Sequence, residues 1–319
     1  YAGATNPAVT LHIFDTQTRL SEQIWASADG TNNTYLARVL PVEKGLCIQT
    51  QDRLQQNLSL RFYDFEQRNW FERYRETSAT WINLTDDLHE LDDHQLLFSS
   101  EDEGQRQAIV VAANNAVRRL RGPSHVNQIL STNEQTALVT GWDETPIDNH
   151  LFEIALDGSG YQQVTTQTGV HEVVVAQGMS LFLDRYSSLK TPLRITLNDM
   201  NEGELQVLAE ETISADHRYS PFAQNHVTAR FGTVVSHGHE LHYRLTPPAK
   251  IQGKHPTIVY VYGGPGAQKV RRDWGTLLVQ LFAQRGYGVL ELDNRGSTNR
   301  GSLFEAPLYK KMGSVEVED

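Results

Sequence analysis

The feature that most constrains the fold is a repeat of paired short strands along the first two-thirds of the chain. Apolar stretches recur every 41 to 50 residues, separated by polar and often acidic turns. One series starts at Leu11, Leu60, Ile109, Leu151 and Ile195, and an interlocked series starts at Leu46, Leu96, Ala137 and Ser180. A period of roughly 40–50 residues with several strands in each unit is typical of the blades of a β-propeller.

The repeat comprises four full units and one half unit, because only ten residues precede Leu11. Each propeller blade is a small twisted sheet whose faces are covered by its neighbours. The sequence therefore predicts a mostly β protein in which residues 1–215 form about four to five blades of a larger propeller. A β-sandwich with evenly spaced hairpins is the alternative that the repeat leaves open.

The pattern changes at about residue 216, from strand pairs to alternating strand and helix. A hairpin at residues 227–246 precedes a short, continuously apolar strand at residues 258–262, which is expected to be buried in a parallel sheet. Residues 274–284 have helical spacing, with Gly286 as the cap, and residues 287–292 form the next strand. Strand, helix and strand make one βαβ unit, so residues 216–319 are predicted to be the first part of an α/β-hydrolase domain.

A catalytic α/β-hydrolase domain needs a nucleophile elbow, an acid and a histidine, in that chain order. Only 22 residues follow Ser297, and no Gly-x-Ser-x-Gly occurs in the 319 residues. The sequence is therefore expected to be an internal fragment of a larger hydrolase, without its nucleophile, and inactive by itself.

Composition excludes several functional classes. The net charge of -11 argues against nucleic-acid binding, which usually needs a basic face. No apolar run approaches the ~18 residues of a membrane span, and no leader is visible at Tyr1. The single cysteine, Cys47, is expected to be an ordinary strand thiol. Sequons at Asn32, Asn57 and Asn83 matter only in a eukaryotic secretory protein.

No cofactor or metal is predicted. The loop Gly263-Gly-Pro-Gly266 lacks the Lys-Ser/Thr that follows a phosphate-binding loop, so it is interpreted as a sharp turn after a strand. His239-Glu-Leu-His242 has a spacing of three, whereas the zincin motif needs four on a helix. His89 and His94 are five residues apart, so they do not match the zincin spacing either.

Several motifs resemble the dipeptidyl peptidase IV branch of the prolyl oligopeptidase family of serine peptidases, especially its bacterial members. In the second region these are Tyr260-Val-Tyr-Gly-Gly-Pro-Gly-Ala-Gln268, Asp293-Asn-Arg-Gly-Ser297 with Arg300-Gly301, and Met312-Gly-Ser-Val-Glu-Val-Glu-Asp319. In the repeats they are Ala2-Gly-Ala-Thr-Asn-Pro7 with Val9, Trp81-Ile-Asn83, Ser99-Ser-Glu101 and Asp184-Arg-Tyr-Ser-Ser-Leu-Lys-Thr-Pro192. The resemblance covers essentially the whole chain.

The resemblance implies an eight-bladed propeller joined to an α/β-hydrolase domain, with the active site in a cavity between them. Such enzymes release dipeptides, often ending in proline, from peptide N-termini. Tyr262 matches the tyrosine whose hydroxyl completes the oxyanion hole. The serine, aspartate and histidine of the triad would follow Asp319, and the glutamates that hold the substrate's amino group would precede Tyr1. Members often form homodimers, and a periplasmic or secreted location is suggested.

The sequence leaves two alternative functions open. One is a non-catalytic propeller that serves as a scaffold for protein or peptide binding. The other is a different prolyl oligopeptidase branch, such as an endopeptidase or an acylaminoacyl peptidase.

The remaining conspicuous residues receive structural interpretations. Arg295 follows a strand and is expected to fix the next loop by donating hydrogen bonds to carbonyl oxygens. The aromatic stretch at residues 70–74 is expected to pack at a strand end. Three acidic pairs are expected to be solvated surface charges: Asp86-Asp87, Asp92-Asp93 and Glu210-Glu211.

Overall fold

The computed structural model describes residues 6–27, 33–251 and 253–319. The sequon at Asn32 and most of the motif at residues 2–7 lie outside these ranges. The chain divides into two compact units, Tyr1–Leu97 with Val110–Arg118, and Phe98–Ile109 with Arg119–Asp319.

The first unit contains a two-stranded antiparallel hairpin and a four-stranded antiparallel sheet. The hairpin consists of β1 (Thr10–Phe14) and β2 (Ser21–Ala26). The sheet consists, in spatial order, of β3 (Thr34–Val42), β4 (Gly45–Asp52), β5 (Asn57–Asp64) and β6 (Asn69–Thr77). Buried Cys47 lies on β4, as expected, and burial raises the pKa of its thiol to about 12.

Another four-stranded sheet has the order β10-β9-β8-β7. Its strands are β7 (His89–Glu90), β8 (Leu96–Ser100), β9 (Gln107–Val111) and β10 (Val117–Arg119). A 3-10 turn at Asp92–His94 connects β7 with β8.

The second unit adds two further four-stranded antiparallel sheets, each with its strands in sequence order. The third sheet contains β11 (His125–Thr132), β12 (Thr136–Trp142), β13 (His150–Ala155) and β14 (Tyr161–Gln163). The fourth contains β15 (Val170–Val175), β16 (Leu181–Ser187), β17 (Arg194–Asp199) and β18 (Gly203–Glu210).

These sheets confirm the predicted repeat of four full units and one half unit. Each predicted strand pair occupies the two central strands of a four-stranded sheet, and the half unit is the β1–β2 hairpin. Four separate up-and-down sheets are the organisation of propeller blades, not the two facing sheets of a sandwich. The sandwich alternative is therefore wrong.

The central strands are also where the apolar core lies. Leu138, Leu151, Met179 and Phe182 form one buried cluster that joins the third and fourth sheets. Gly141 allows β11 and β12 to approach, because a Cβ at this position would lie 2.0 Å from the carbonyl oxygen of His125. Glycine in a strand often marks such a close approach of two backbones.

After the fourth sheet, the chain forms a mixed sheet with the order β19-β20-β22-β21. Its strands are β19 (Arg230–Ser236), β20 (His239–Thr246), β21 (Thr257–Tyr260) and β22 (Gly288–Leu292). The α-helices are α1 (Ser220–Ala223), α2 (Leu277–Gln284), α3 (Ser302–Glu305) and α4 (Val315–Glu318), with a 3-10 turn at Ala306–Leu308. Strands β21 and β22 pair in parallel and α2 connects them, which confirms the predicted βαβ unit.

Two details of the prediction for this region are wrong. Strand β21 ends at Tyr260 and is not buried: it lies at an edge of its sheet, and Val259 is 61% exposed. Helix α2 begins at Leu277, three residues later than predicted. The delay follows from Gly275, whose left-handed backbone (φ +81°) lies against the guanidinium of Arg244 and interrupts the helix.

Within the described ranges, no helix is long and apolar enough to cross a membrane. The predicted boundary after residue 215, between the propeller blades and the hydrolase domain, stays a prediction.

We expect Phe152→Ala to destabilise the protein by about 3–5 kcal/mol, because its fully buried ring lies on a central strand and its loss leaves a cavity. Val174→Ala, at a side chain that is 66% exposed, is the control and should change stability by less than about 0.5 kcal/mol. Urea unfolding measures both. Equal losses for the two variants would contradict this assignment of the core.

Candidate active site

The loop after β21 carries Tyr262, the residue that the resemblance assigns to an oxyanion hole. The chain turns sharply there, as predicted, because Gly263 and Gly266 both have a left-handed backbone (φ +76°). Tyr262 is 57% exposed, and a Cβ at Gly264 would lie 3.4 Å from its ring. The phenol is therefore accessible to a ligand, and the glycines that follow it have no side chains that would obstruct the approach.

A lysine lies beside two tyrosine rings in this loop. The Nζ of Lys269 is 4.9 Å from the ring centroid of Tyr260 and 5.9 Å from that of Tyr262. It also donates a 3.3 Å hydrogen bond to the hydroxyl of Tyr260. A cation over aromatic faces is attracted by their negative charge density, so these contacts help to fix the orientation of both rings.

The far end of the loop is held by a buried carboxylate. Asp293 directly follows β22, and its two oxygens accept the backbone N–H of Lys269 at 2.7 Å and of Val270 at 3.1 Å. Burial raises the pKa of Asp293, while these two donors oppose the rise. The carboxylate therefore joins the loop after β21 to the end of the neighbouring parallel strand.

A cavity of about 590 Å³ lies in the second unit, between the fourth propeller sheet and the mixed sheet. Tyr260 and Lys269 line one side of the cavity, and Glu172 and Arg185 line the other. Arg271 reaches across and pairs with Glu172 at 3.1 Å. Volumes of 300–1,000 Å³ are typical of sites for small ligands and short peptides.

Two arginines form partly buried ion pairs at or near the cavity lining. Arg244 contacts Asp273 at 2.8 Å and Glu291 at 3.5 Å, and burial raises the pKa of Glu291. Arg272 lies 3.2 Å from Asp148, whose pKa is raised by burial to about 6 despite the nearby guanidinium.

A second, smaller cavity of about 380 Å³ lies next to the same loop, and His125 is among its lining residues. The ring of His125 stacks on Trp142 at a centroid distance of 5.8 Å, and its Nδ1 lies 2.9 Å from Oε1 of Gln105. Burial, and secondarily the charge of Arg106, lowers the pKa of His125 to about 3. The imidazole is therefore neutral in the folded protein at neutral pH.

Two other candidates from the sequence are Arg295 and the aromatic stretch at residues 70–74. The prediction that Arg295 fixes the next loop is wrong: among the described residues, its guanidinium contacts the carboxylate of Asp319 at 2.9 Å and donates to the carbonyl oxygen of Val315. The stretch at residues 70–74 is a packing cluster, as expected, with the ring of Trp70 tilted by 53° against that of Tyr63 at a centroid distance of 5.0 Å.

The prediction that all three acidic pairs are solvated is wrong for one member. Asp87 is fully buried and accepts a 2.5 Å hydrogen bond from the hydroxyl of Thr85. A buried carboxylate needs such donors to replace water. Its neighbour Asp86 pairs with Arg38 at the surface.

In the first unit, one candidate ligating atom from each of Glu43, Glu90 and His94 lies within 4.8 Å of the others. Their spacing in the sequence did not predict this cluster. We assign no metal site to them, because Glu43 is largely exposed and nothing else in the described part of the chain indicates a ligand there. His239 and His242 lie on strand β20, so the zincin interpretation also fails on secondary structure.

A model of the dipeptidyl peptidase IV N-terminal region matches residues 1–193, more than half of the chain. The chain belongs to the dipeptidyl peptidase IV family. A model of the prolyl oligopeptidase family matches residues 275–319 as well. These matches confirm the resemblance that the motifs indicated.

Known relatives agree with this family assignment. Dipeptidyl peptidase 8 of Homo sapiens is 25% identical over 291 residues, covering 77% of this chain and 32% of that protein. Its Mus musculus counterpart is 24% identical over 291 residues, covering 77% and 33%. This chain therefore spans about a third of the length of these relatives.

The fold has solved counterparts. The crystal structure of Porphyromonas gingivalis dipeptidyl peptidase 4 superimposes with a TM-score of 0.88 at 18% identity, covering 98% of this chain and 45% of that one. At this identity the match shows the fold alone, a propeller region followed by the start of a hydrolase domain.

We expect acid to destabilise this protein partly through His125. Its folded pKa lies below the unfolded value of 6.5, so its contribution to stability is fully present above pH 6.5 and is lost as pH falls toward 3. Between pH 7 and pH 4.5, wild type should lose about 2–3 kcal/mol more unfolding free energy than His125→Gln.

Urea unfolding at several pH values measures this difference. Asp148 and the other titrating groups are common to both proteins and cancel in the comparison. Parallel pH profiles of the two proteins would contradict the assignment of a neutral, buried imidazole.

Proposed function

We propose that this chain is part of a dipeptidyl peptidase IV-like serine exopeptidase. In this proposal, residues 1–215 are the later blades of the propeller and residues 216–319 are the first part of the hydrolase domain. The observation that carries the proposal is the accessible phenol of Tyr262, on a glycine-rich loop beside a cavity large enough for a short peptide. Membership of the family supports the assignment.

The proposed reaction is acyl transfer. A serine from outside these 319 residues would attack the carbonyl carbon that follows the second residue of the substrate, with a histidine as base. Negative charge then develops on the carbonyl oxygen, and the hydroxyl of Tyr262 would donate a hydrogen bond to it. A donor held where charge develops is worth about 10²–10³ in rate. The amine leaves with the histidine's proton, and water releases the dipeptide.

The test uses the protein that is encoded by the complete reading frame around this sequence. It should release p-nitroaniline from glycyl-prolyl-p-nitroanilide, and Tyr262→Phe should lower kcat by about 10²–10³ with little change in KM. This pattern follows because the phenol would act on the transition state rather than on the bound substrate.

Tyr287→Phe is the matched control, since it also removes one phenol hydroxyl from the mixed-sheet region, but Tyr287 precedes β22 and so lies at the end of the parallel pair opposite to the loop after β21. The 319-residue chain alone should release no product, because it contains no Gly-x-Ser-x-Gly. If the complete protein hydrolyses no dipeptide substrate, the proposal is wrong and a binding scaffold becomes the better interpretation. Cleavage only within longer peptides, or only of acylated substrates, would indicate another branch.

A further inference from the structure

Two amide side chains connect three separate segments of the second unit. Gln268 belongs to the loop after β21, Asn299 to the loop after β22, and Pro146 to the connection between β12 and β13. Nε2 of Gln268 donates to the carbonyl oxygen of Pro146 at 2.7 Å, and Nδ2 of Asn299 donates to the same oxygen at 3.0 Å. Nδ2 of Asn299 also donates to Oε1 of Gln268 at 3.0 Å. We call these contacts the amide bridge.

Every polar group of the two amides has a partner. The second donor contact of Gln268 is to the carbonyl oxygen of Val270, at 3.0 Å. Oδ1 of Asn299 accepts from Nε1 of Trp142 at 3.1 Å, and the same indole N–H lies 2.9 Å from the backbone carbonyl of Asn299. A network whose members are all satisfied has one favoured arrangement, because any rotation leaves a donor or acceptor unpaired.

The backbone of Asn299 is also adapted to this position. Its φ is +71°, in the left-handed region, which asparagine tolerates better than most residues. The backbone at residue 298 adds a contact, since the N–H of Thr298 donates to the carbonyl oxygen of Ala267 at 3.2 Å. The two loops of the mixed sheet therefore reach the third propeller sheet as one hydrogen-bonded body.

The amide bridge acts on the loop that carries Tyr262. Only five residues separate Tyr262 from Gln268, and Gly263 and Gly266 lie among them, so this stretch depends on contacts at its far end for a fixed conformation. Asp293 fixes that end to the mixed sheet, and the amide bridge fixes it to the propeller.

We propose that Gln268 and Asn299 are positioning residues, which set the place of the Tyr262 hydroxyl by attaching its loop to the third propeller sheet. The inference rests on the proposed function, in which that hydroxyl stabilises the oxyanion. Displacement of a group by about 1 Å can reduce the rate by up to about 10², so a loosened bridge should be visible in kcat.

A double-mutant cycle in the complete protein tests this role. Asn299→Gly removes the amide, keeps the left-handed backbone accessible and keeps the carbonyl that Trp142 contacts. It should lower kcat on glycyl-prolyl-p-nitroanilide about tenfold with KM within about twofold. In a Tyr262→Phe background, the same change should lower kcat by less than about twofold, because the positioned group is already gone.

Matched variants separate this effect from general destabilisation. Asn115→Gly is the control, since Asn115 also has a left-handed backbone (φ +68°) and a bonded side-chain amide, with Arg73 and Glu72 as partners. It should leave kcat unchanged. If Asn299→Gly does not fold, Gln268→Met removes the partner amide at similar length and should show the same non-additivity. Hydrogen exchange should rise in residues 263–270 for either bridge variant.

The outcomes are distinguishable. Absence of dipeptidyl peptidase activity would overturn the proposed function and with it the catalytic role of the bridge. If Tyr262→Phe lowers kcat but Asn299→Gly lowers it equally with and without the tyrosine hydroxyl, the proposed function holds and only the positioning role is overturned. An unchanged kcat for both bridge variants would overturn it too.

Discussion

The candidate site depends on the buried carboxylate of Asp293. Removed from water, it requires donors, and it finds them in two consecutive backbone N–H groups, at Lys269 and Val270. The loop after β21 must therefore return across the end of β22 instead of extending away from the sheet. That return brings Lys269 and Gln268, which line the cavities, to the end of the mixed sheet at which the loop with Tyr262 begins.

The propeller could be predicted from sequence because the central strands of each blade are apolar. Outer strands gave no such signal: all eight residues of β18 are exposed, and β7 contains only two residues. The repeat therefore predicted the number of units and the central pairs but could not count the strands within a blade. For strand β21 the apolar run predicted burial, but the strand lies at a sheet edge, and an apolar run does not show whether a strand is central or at an edge.

Helix α2 shows why burial could not be predicted from periodicity alone. Its leucines, Leu277, Leu278 and Leu281, are exposed, whereas Gln280 is buried. The amide of Gln280 accepts the backbone N–H of Val227 at 2.9 Å and donates to its carbonyl oxygen at 2.9 Å, which offsets the cost of burial. Such a residue has no apolar signature. The role expected of Tyr262 came from the resemblance, whereas Asp293 and Asn299 are hydrogen-bonded to partners distant in sequence, which local patterns do not show.

Several contacts join the loop after β21 to the propeller sheets, among them an exposed ion pair and the amide bridge, and the magnitudes of these two differ. The pair between Arg271 and Glu172 is over a third exposed on both sides, and such pairs contribute about 0–1 kcal/mol. The amide bridge has no net charge, so salt does not screen it, and each of its hydrogen bonds contributes about 0.5–1.5 kcal/mol. The amides are therefore expected to hold the loop against the propeller more strongly than this ion pair does, beside the backbone hydrogen bond from Arg272 to the carbonyl oxygen of Ile147 at 2.8 Å. A neutral, saturated network also depends little on pH and ionic strength, which would suit the proposed oxyanion donor.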